Sequence, residues 1–204
     1  ESCHRLAAWT RSYPGRMPIT ISVNLSSKQL LDSELTETIC GLLAETGCDP
    51  ALVELEITES TLIDNSDAAR ALLNSLRDLR IRLSLDDFGT GYSSLSYLHQ
   101  FPFDTIKIDR TFIQAMDHSA GRLEIVRAII ALARALGKTV VAEGLETLEQ
   151  VERLTDLGCD FGQGFYFARP LDAAAAEAFL INAAFPSAAE RSAGFAAAPD
   201  GRHH

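Results

Sequence analysis

Strand-like and helix-like segments alternate six times along the chain, and this alternation constrains the fold more than any other feature of the sequence. The strand-like segments are short and rich in branched apolar residues, and stretches with helical apolar spacing separate them. The predicted strands lie at 19–25, 53–58, 82–87, 105–108, 139–142 and 161–166. Strands joined by helical crossovers run parallel, so the pattern predicts a parallel α/β sheet without an internal domain boundary.

The helical segments between these strands complete the prediction. We expect helices up to residue 12 and at 29–46, 67–79, 94–99, 121–136, 148–157 and 173–183. Gly47 stands where a left-handed cap should end the second helix. Residues 1–183 are therefore predicted to form one domain. Residues 184–204, rich in Ala, Ser, Gly and Pro, are predicted to be a disordered tail.

The two faces of the predicted strands differ in polarity. In the first strand, Ile21 and Val23 share one face, and Ser22 and Asn24 share the other. A doubly wound sheet is covered by helices on both faces, so its strands should be apolar on both. The alternation therefore favours a TIM-like (β/α)8 barrel with a polar interior, and a sheet with one bare face is the alternative.

Composition excludes several classes of function. The chain has 18 Lys and Arg against 28 Asp and Glu, a formal net charge of −10, which argues against DNA, RNA or anionic membrane surfaces as partners. Its apolar runs are shorter than the ~18 residues that a membrane span requires. The four cysteines are scattered and follow no secretory signal, which predicts reduced thiols in a cytoplasmic protein, or in the cytoplasmic end of a membrane-anchored one.

Polar side chains stand at the carboxyl ends of almost all the predicted strands, where barrel enzymes place their active sites. They are Asn24, Glu56, Glu59, Asp86, Asp87, Lys107, Asp109, Glu143, Glu146 and Gln163. One such residue is commonly a helix cap or turn former, but their convergence predicts a site. Clustered carboxylates repel one another unless cations lie between them, and oxygen ligands without a His or Cys cluster favour Mg²⁺ or Mn²⁺ over zinc.

The segment 86–95, DDFGTGYSSL, follows the third strand. Gly89 and Gly91 provide backbone freedom there, which predicts a mobile or substrate-responsive loop, with a plain connection as the alternative. Lys107 lies on the polar face of the fourth strand and should pair with carboxylates, phosphate or water. Carboxylates, metal ions and an inward lysine together suggest metal-assisted hydrolysis of a phosphoester.

Six motifs carry a family resemblance: SVNLSSKQL (22–30), ELEITES (54–60), DDFGTGYSSL (86–95), DTIKIDRTFI (104–113), VVAEGLET (140–147) and GQGFYFARP (162–170). In this order they resemble the EAL-domain family of cyclic di-GMP phosphodiesterases, over nearly all of residues 1–182. The resemblance implies a TIM-like barrel with one antiparallel strand. It also implies hydrolysis of cyclic di-GMP to linear pGpG with Mg²⁺ or Mn²⁺ at a two-metal site, and inhibition by Ca²⁺.

The resemblance also implies roles for individual residues, in four groups. The residues that resemble metal ligands are Asn24, Glu56, Asp86 and Asp87, with Asp87 at a second metal. The residues that resemble catalytic groups are Lys107, which would orient the attacking water, Glu143, which would act as an acid/base carboxylate, and Asp87. The residues on the substrate side are Gln163, Phe165, Arg169 and Pro170, and those that would anchor the loop are Glu59, Gly89 and Gly91. In this family the loop region couples homodimerisation to activity, so a homodimer through residues 86–95 is expected.

One family motif is missing from the sequence. The Glu-x-Leu motif, whose Glu is a metal ligand, precedes the family's helix that corresponds to the start of this chain, and no such motif precedes Glu1. Six of the eight expected strands cannot close a barrel. Three explanations of the missing motif remain: a truncated gene model, an expressed fragment, or a relative that binds without cleaving. We expect the 204-residue chain itself to be inactive. A non-catalytic cyclic di-GMP receptor and an unrelated barrel acting on phosphosugars remain as alternatives.

Overall fold

Six strands, nine α-helices and one 3₁₀ helix (Pro50–Leu52) are assigned in the part of the chain that the structure, a computed structural model, describes: residues 1–13, 19–63, 66–90, 98, 100–116 and 120–182. The strands are β1 (Ile21–Asn24), β2 (Val53–Thr58), β3 (Arg82–Phe88), β4 (Thr105–Ile108), β5 (Thr139–Glu143) and β6 (Phe161–Gln163). The helices are α1 (Ser2–Ser12), α2 (Ser27–Leu30), α3 (Leu35–Thr46), α4 (Glu59–Ile63), α5 (Ser66–Asp78), α6 (Arg110–Met116), α7 (Ala120–Ala135), α8 (Leu148–Leu157) and α9 (Ala173–Asn182). The predicted alternation of strand and helix is confirmed.

The chain divides into two compact units, Glu1–Lys107 and Ile108–His204. In the first unit β1 pairs with β2 and β2 with β3, all parallel. The approach of β4 to β3 is held at Asp104, whose N–H donates to the Leu83 carbonyl (2.8 Å) and whose Oδ2 accepts from the Leu83 N–H (3.0 Å). In the second unit β5 pairs in parallel with β6. The parallel pairing confirms the predicted α/β class.

The core of the first unit lies between the apolar faces of its strands and the helices. The buried strand side chains are Leu55, Ile57, Leu83, Leu85 and Ile106. Their helical counterparts include Leu6, Leu62, Ala69, Leu73 and Leu76. These positions follow the two-residue period of a strand and the 3.6-residue period of a helix, which explains why this sequence forms these elements.

The opposite face of the strands is polar, and its exposure changes along the sheet of the first unit. Ser22 and Asn24 on β1 are exposed. On β2 to β4 the polar side chains Glu54, Glu56, Ser84, Thr105 and Lys107 are all buried. The alternative of a sheet with one bare face therefore fits β1 and fails for β2 to β4.

In the second unit the helices pack on β5 through a separate apolar cluster. Its buried members include Ile113, Val126, Ile130, Ala133, Val140, Ala142, Leu145 and Leu154. A capping box at Thr147 and Gln150 begins α8, and Gly158 ends it in the left-handed conformation (φ 78°). The Asp160 carboxylate accepts from the Val140 N–H at 2.8 Å and joins the end of this helical connection to β5.

The predicted helix at 29–46 is wrong in one respect, because two helices, α2 and α3, occupy this segment. Asp32 accepts from the Glu34 N–H at 2.9 Å, and this turn interrupts the helix. The sequence prediction also missed two short helices, α4 directly after β2 and α6 directly after β4. Most of the predicted helix at 94–99, and the whole predicted tail at 184–204, lie outside the described residues.

Within the described part of the chain, the helices are all too short or too polar to cross a lipid bilayer.

Candidate active site

Lys107 is 5% exposed, and its side chain lies between two carboxylates. Its Nζ is 2.9 Å from Glu56 Oε2 and 3.4 Å from Asp86 Oδ1. The three residues stand on β4, β2 and β3, so the ion pairs join three strands of the first unit. We call this group the Lys107 cluster. Of the partners expected for Lys107, namely carboxylates, phosphate or water, the structure shows carboxylates.

The electrostatics of the Lys107 cluster follow from its burial. Taking an ammonium and two carboxylates out of water is costly, and close ion pairs with good geometry offset much of that cost. One positive charge stands against two negative charges in the cluster. The surplus negative charge and the carboxylate oxygens make this place suitable for a divalent cation.

Asn24 lies beside the Lys107 cluster because of the strand register. Asn24 pairs with Glu56 across β1 and β2, and the next residue, Leu25, donates its N–H to the Glu56 carbonyl at 2.8 Å. The side chain of Asn24 is exposed, so its amide oxygen is accessible to a ligand.

The pair Asp86–Asp87 has an unusual backbone. Asp87 is in the left-handed region (φ 55°), and its N–H donates to Asp86 Oδ1 at 3.0 Å. On a regular strand, consecutive side chains point to opposite faces. The sequence suggested that both carboxylates could reach one mouth only where the backbone turns, and the left-handed residue is such a turn.

Glu59 lies at the start of α4 and is bonded to the loop after β3. It is buried, and its Oε2 accepts from the Gly89 N–H at 3.2 Å. Gly89 has φ 95°, a conformation that favours glycine. The Asp87 carbonyl accepts from both the N–H (3.2 Å) and the hydroxyl (2.9 Å) of Thr90. Gly91 and the rest of the predicted loop to residue 95 lie outside the described residues.

In the second unit, Glu143 and Gln163 end neighbouring strands and are paired in register. Glu143 is half-buried and Gln163 is exposed. After Glu143 the chain turns through Gly144 (φ 72°), where a Cβ atom would lie 2.5 Å from the Arg110 Cβ. The close approach of α6 thus explains the glycine at this strand end.

The exposed segment after β6 holds the residues predicted on the substrate side. The Arg169 guanidinium lies 4.9 Å from the centre of the Phe165 ring, a cation–π arrangement. Pro170 follows and is also exposed. An exposed ring and a guanidinium can together contact a flat, anionic ligand such as a nucleotide.

Two residues of the predicted strand ends have structural roles in the second unit. Asp109 accepts from the Thr111 N–H at 2.9 Å and so supports the start of α6. Glu146 accepts from the Gln114 side chain at 3.5 Å.

Sequence reasoning assigned no role to three buried residues, which lie on the same strands as the Lys107 cluster: Glu54, Ser84 and Thr105. The available signal was their spacing, two residues before Glu56, Asp86 and Lys107.

Comparison with known proteins identifies a family. The model of the EAL domain matches residues 1–170. The cyclic di-GMP phosphodiesterase NbdA of Pseudomonas aeruginosa is 43% identical over 166 residues, which are 81% of this chain and 21% of NbdA. The chain spans about a fifth to a quarter of the length of the first curated relatives that it matches (21%, 24% and 21%).

Solved structures agree with this match. The MucR phosphodiesterase of Pseudomonas aeruginosa, in complex with c-di-GMP, superposes with a TM-score of 0.81 at 40% identity, covering 85% of this chain and 70% of that one. BlrP1 of Klebsiella pneumoniae, in complex with manganese and c-di-GMP, superposes with a TM-score of 0.73 at 34% identity, covering 82% and 42%. BlrP1 is also known in a calcium complex. These superpositions confirm the predicted EAL-type fold, of which the described residues hold six strands.

Proposed function

The chain belongs to the EAL domain family, and from this premise we propose that it serves a metal-dependent phosphodiesterase that hydrolyses cyclic di-GMP to linear pGpG. In this reaction a water oxygen attacks one phosphorus atom, the bond from that phosphorus to the 3′ oxygen breaks, and the leaving oxygen takes up a proton. The observation that carries the proposal is the Lys107 cluster, in which a buried ammonium is held between Glu56 and Asp86.

The residues present fit a hard divalent cation. Asn24, Glu56, Asp86 and Asp87 offer an amide oxygen and three carboxylates, and Asn24 is next to Glu56 in register. Mg²⁺ and Mn²⁺ prefer such oxygen ligands. A divalent cation bound there would supply Lewis-acid stabilisation of the phosphoryl oxygens and lower the pKa of a coordinated water. Calcium, with longer bonds and more ligands, is proposed to inhibit.

Lys107 is proposed to orient the attacking water. An ammonium group donates hydrogen bonds and accepts none, so Lys107 can hold a water only by donating to its oxygen. Its two carboxylate partners fix the direction of the side chain. A water that accepts a hydrogen bond from this fixed ammonium has a lone pair left that can face the phosphorus atom, aligned for attack. Lys107 is thus a catalytic residue that orients the attacking water and does not remove a proton from it.

We propose acid/base work for Glu143 and substrate contacts for the segment after β6. Glu143 is a half-buried carboxylate, suited to exchange protons with water. Gln163 is its neighbour in register, and Phe165 and Arg169 offer a ring face and a positive charge. Cyclic di-GMP is an anion and the chain is acidic, so bound cations are proposed to assist binding as well as chemistry.

We further propose that the loop beginning at Asp86 communicates with the site through Glu59, and that a homodimer forms through residues 86–95. The bond from Gly89 to Glu59, which ties the loop to α4 at one end, supports the first of these two proposals. We place the protein in the cytoplasm, where cyclic di-GMP acts as a second messenger.

The test is turnover by the purified full-length parent protein with cyclic di-GMP and Mg²⁺ or Mn²⁺, in calcium-free buffer, with pGpG measured by liquid chromatography, since the 204-residue chain by itself is expected to be inactive. Glu56→Ala should abolish turnover, whereas Glu37→Ala, the same charge change at an exposed site on α3, should not. Binding without pGpG formation would instead identify a cyclic di-GMP receptor. Neither binding nor turnover would refute the proposed function.

A further inference from the structure

Three buried polar atoms of the first unit have no hydrogen-bond partner among the described residues: Glu54 Oε1, Ser84 Oγ and Thr105 Oγ1. Their residues are 8%, 0% and 2% exposed. Nearly all buried polar atoms in proteins are hydrogen-bonded, so three exceptions on neighbouring strands require a physical explanation. We call these three residues the lower layer.

The lower layer lies directly beneath the Lys107 cluster. Glu54 precedes Glu56 by two residues, Ser84 precedes Asp86 by two, and Thr105 precedes Lys107 by two. Side chains two residues apart on a strand share a face. Because the Lys107 cluster is in mutual contact on one face, the lower layer occupies that face too, about 6.6 Å nearer the amino ends of the strands.

The strand register brings the members of the lower layer near one another. Glu56 pairs with Ser84 and Glu54 with Arg82, so Ser84 is the diagonal neighbour of Glu54. The bond from the Asp104 N–H to the Leu83 carbonyl, at 2.8 Å, brings the start of β4 close to the part of β3 that carries Ser84. Neighbouring strands of a sheet lie about 4.8 Å apart, so side chains that share a face on β2, β3 and β4 are close enough for one small molecule to bridge them.

We propose that the lower layer is a binding site for an internal water molecule. Such a water can donate to Glu54 Oε1 and to one hydroxyl oxygen, and accept from the other hydroxyl, which satisfies all three atoms. About three hydrogen bonds is the usual number for a buried water. A monovalent cation is a poorer fit, because it leaves both hydroxyl hydrogens of Ser84 and Thr105 without an acceptor, whereas the water accepts one of them.

The bound water makes Ser84 and Thr105 positioning residues for the Lys107 cluster. It bridges β2, β3 and β4, the strands that carry Glu56, Asp86 and Lys107, and so fixes their relative heights. Without it, the orphaned atoms favour a local rearrangement beneath Lys107. This positioning role rests on the proposed function, since its readout is metal binding by Glu56 and Asp86.

A high-resolution crystal structure of the protein tests the water site itself. We expect one ordered water within hydrogen-bond distance of at least two of Glu54 Oε1, Ser84 Oγ and Thr105 Oγ1. Direct pairing of these atoms with protein groups, and no water, would overturn the proposal. An anomalous signal at this position after soaking in rubidium would also overturn it, in favour of a cation.

Variants test the positioning role through the Mn²⁺ dissociation constant, measured by calorimetry. The double variant Ser84→Ala, Thr105→Val should weaken Mn²⁺ binding about tenfold, as loss of groups supporting metal ligands does. Ser84→Thr and Thr105→Ser keep the hydroxyls and should stay close to the unchanged protein. Ser75→Ala removes an exposed hydroxyl on α5 and is the matched control.

The water site and the positioning role of Ser84 and Thr105 are refuted by different results. If the double variant binds Mn²⁺ as tightly as the Ser75→Ala control, the positioning role is refuted. If the double variant does not fold, weakened Mn²⁺ binding by the single hydroxyl-deleting variants, with rescue by Ser84→Thr or Thr105→Ser, decides the same question. Wild-type protein that binds no Mn²⁺ refutes the proposed function, while the crystal structure still decides the water site.

Discussion

The backbone N–H of Gly89 donates to Glu59 Oε2 at 3.2 Å, which joins the loop after β3 to the first residue of α4. The acceptor is buried, so the loop loses a hydrogen bond to a charged group if Glu59 is shortened. Such a bond contributes about 1.5–3 kcal/mol. The relationship links the part of the chain that follows Asp86 and Asp87 to a rigid element.

Glu59→Ala should therefore release the loop without removing a proposed metal ligand. We expect hydrogen exchange at the Gly89 amide to speed up and turnover of cyclic di-GMP to fall, while Mn²⁺ affinity changes little. Glu59→Gln retains an acceptor oxygen and should lie between the two proteins. Equal Gly89 exchange rates in wild type and Glu59→Ala would contradict this account.

Lys107→Met should destabilise the metal-free protein strongly. It leaves the buried carboxylate of Glu56 and the half-buried carboxylate of Asp86 without their ammonium partner, and breaking a buried ion pair from one side costs about 3–5 kcal/mol. Because a bound divalent cation can replace the lost charge, Mn²⁺ should raise the unfolding temperature of Lys107→Met more than that of wild type. Lys28→Met, at an exposed lysine on α2, should show neither effect in thermal unfolding.

Asp87 and Arg80 are both non-glycine residues with positive φ (55° and 67°). Only Asp87 belongs to the proposed site, so comparing the two separates the effect of backbone strain from the effect on function. A glycine at either position removes about 1 kcal/mol of strain. Arg80→Gly, in the turn two residues after α5, should raise stability slightly and leave turnover unchanged. Asp87→Gly should abolish turnover at similar stability. Asp87→Asn should also abolish turnover, and it should keep its stability because Asn tolerates this conformation. Full activity in Asp87→Asn would remove Asp87 from the proposed site.

Burial raises the pKa of Cys159 to about 12, mainly because an anionic thiolate is poorly solvated in the second unit. A thiol whose pKa is raised on folding stabilises the native state fully below the unfolded value near 9, and this stabilisation is lost as the pH rises toward 12. Denaturant unfolding at pH 8 and pH 10 should therefore show a smaller alkaline loss of stability in Cys159→Ala than in wild type. An equal loss in both proteins would show that other groups control it.

The same burial predicts which thiols react. Desolvation also raises the pKa of Cys48, to about 11, whereas Cys3 and Cys40 are only half-buried. A maleimide at pH 7.5 should label Cys3 and Cys40 first, with peptide mass spectrometry giving the order. Rapid labelling of Cys159 in folded protein would contradict the observed packing.

The sequence predicted the strands and the charged cluster because their determinants are local. The alternation of apolar with polar residues defines β1 to β4, and the inward position of Lys107 predicted a partner among carboxylates, phosphate and water. The break between α2 and α3 was missed because one side-chain turn at Asp32 overrides a continuous apolar pattern. The lower layer was missed because burial of Ser84 and Thr105 depends on neighbouring strands, which a single strand pattern cannot show.

Gly164 lies where backbone segments approach too closely for a side chain. A Cβ atom there would be 2.2 Å from the Leu145 carbonyl oxygen and 2.3 Å from its nitrogen. These backbone atoms are held in place, since Leu145 donates to the Gln163 carbonyl (3.1 Å) and accepts from Tyr166 (2.9 Å). Gly164→Ala should therefore displace Gln163 and Phe165, raise the KM for cyclic di-GMP and lower stability by about 1–3 kcal/mol. Gly41→Ala, in open space within α3, should instead add about 0.5–1 kcal/mol in the same denaturant titration, and an equal gain at Gly164 would refute the close approach.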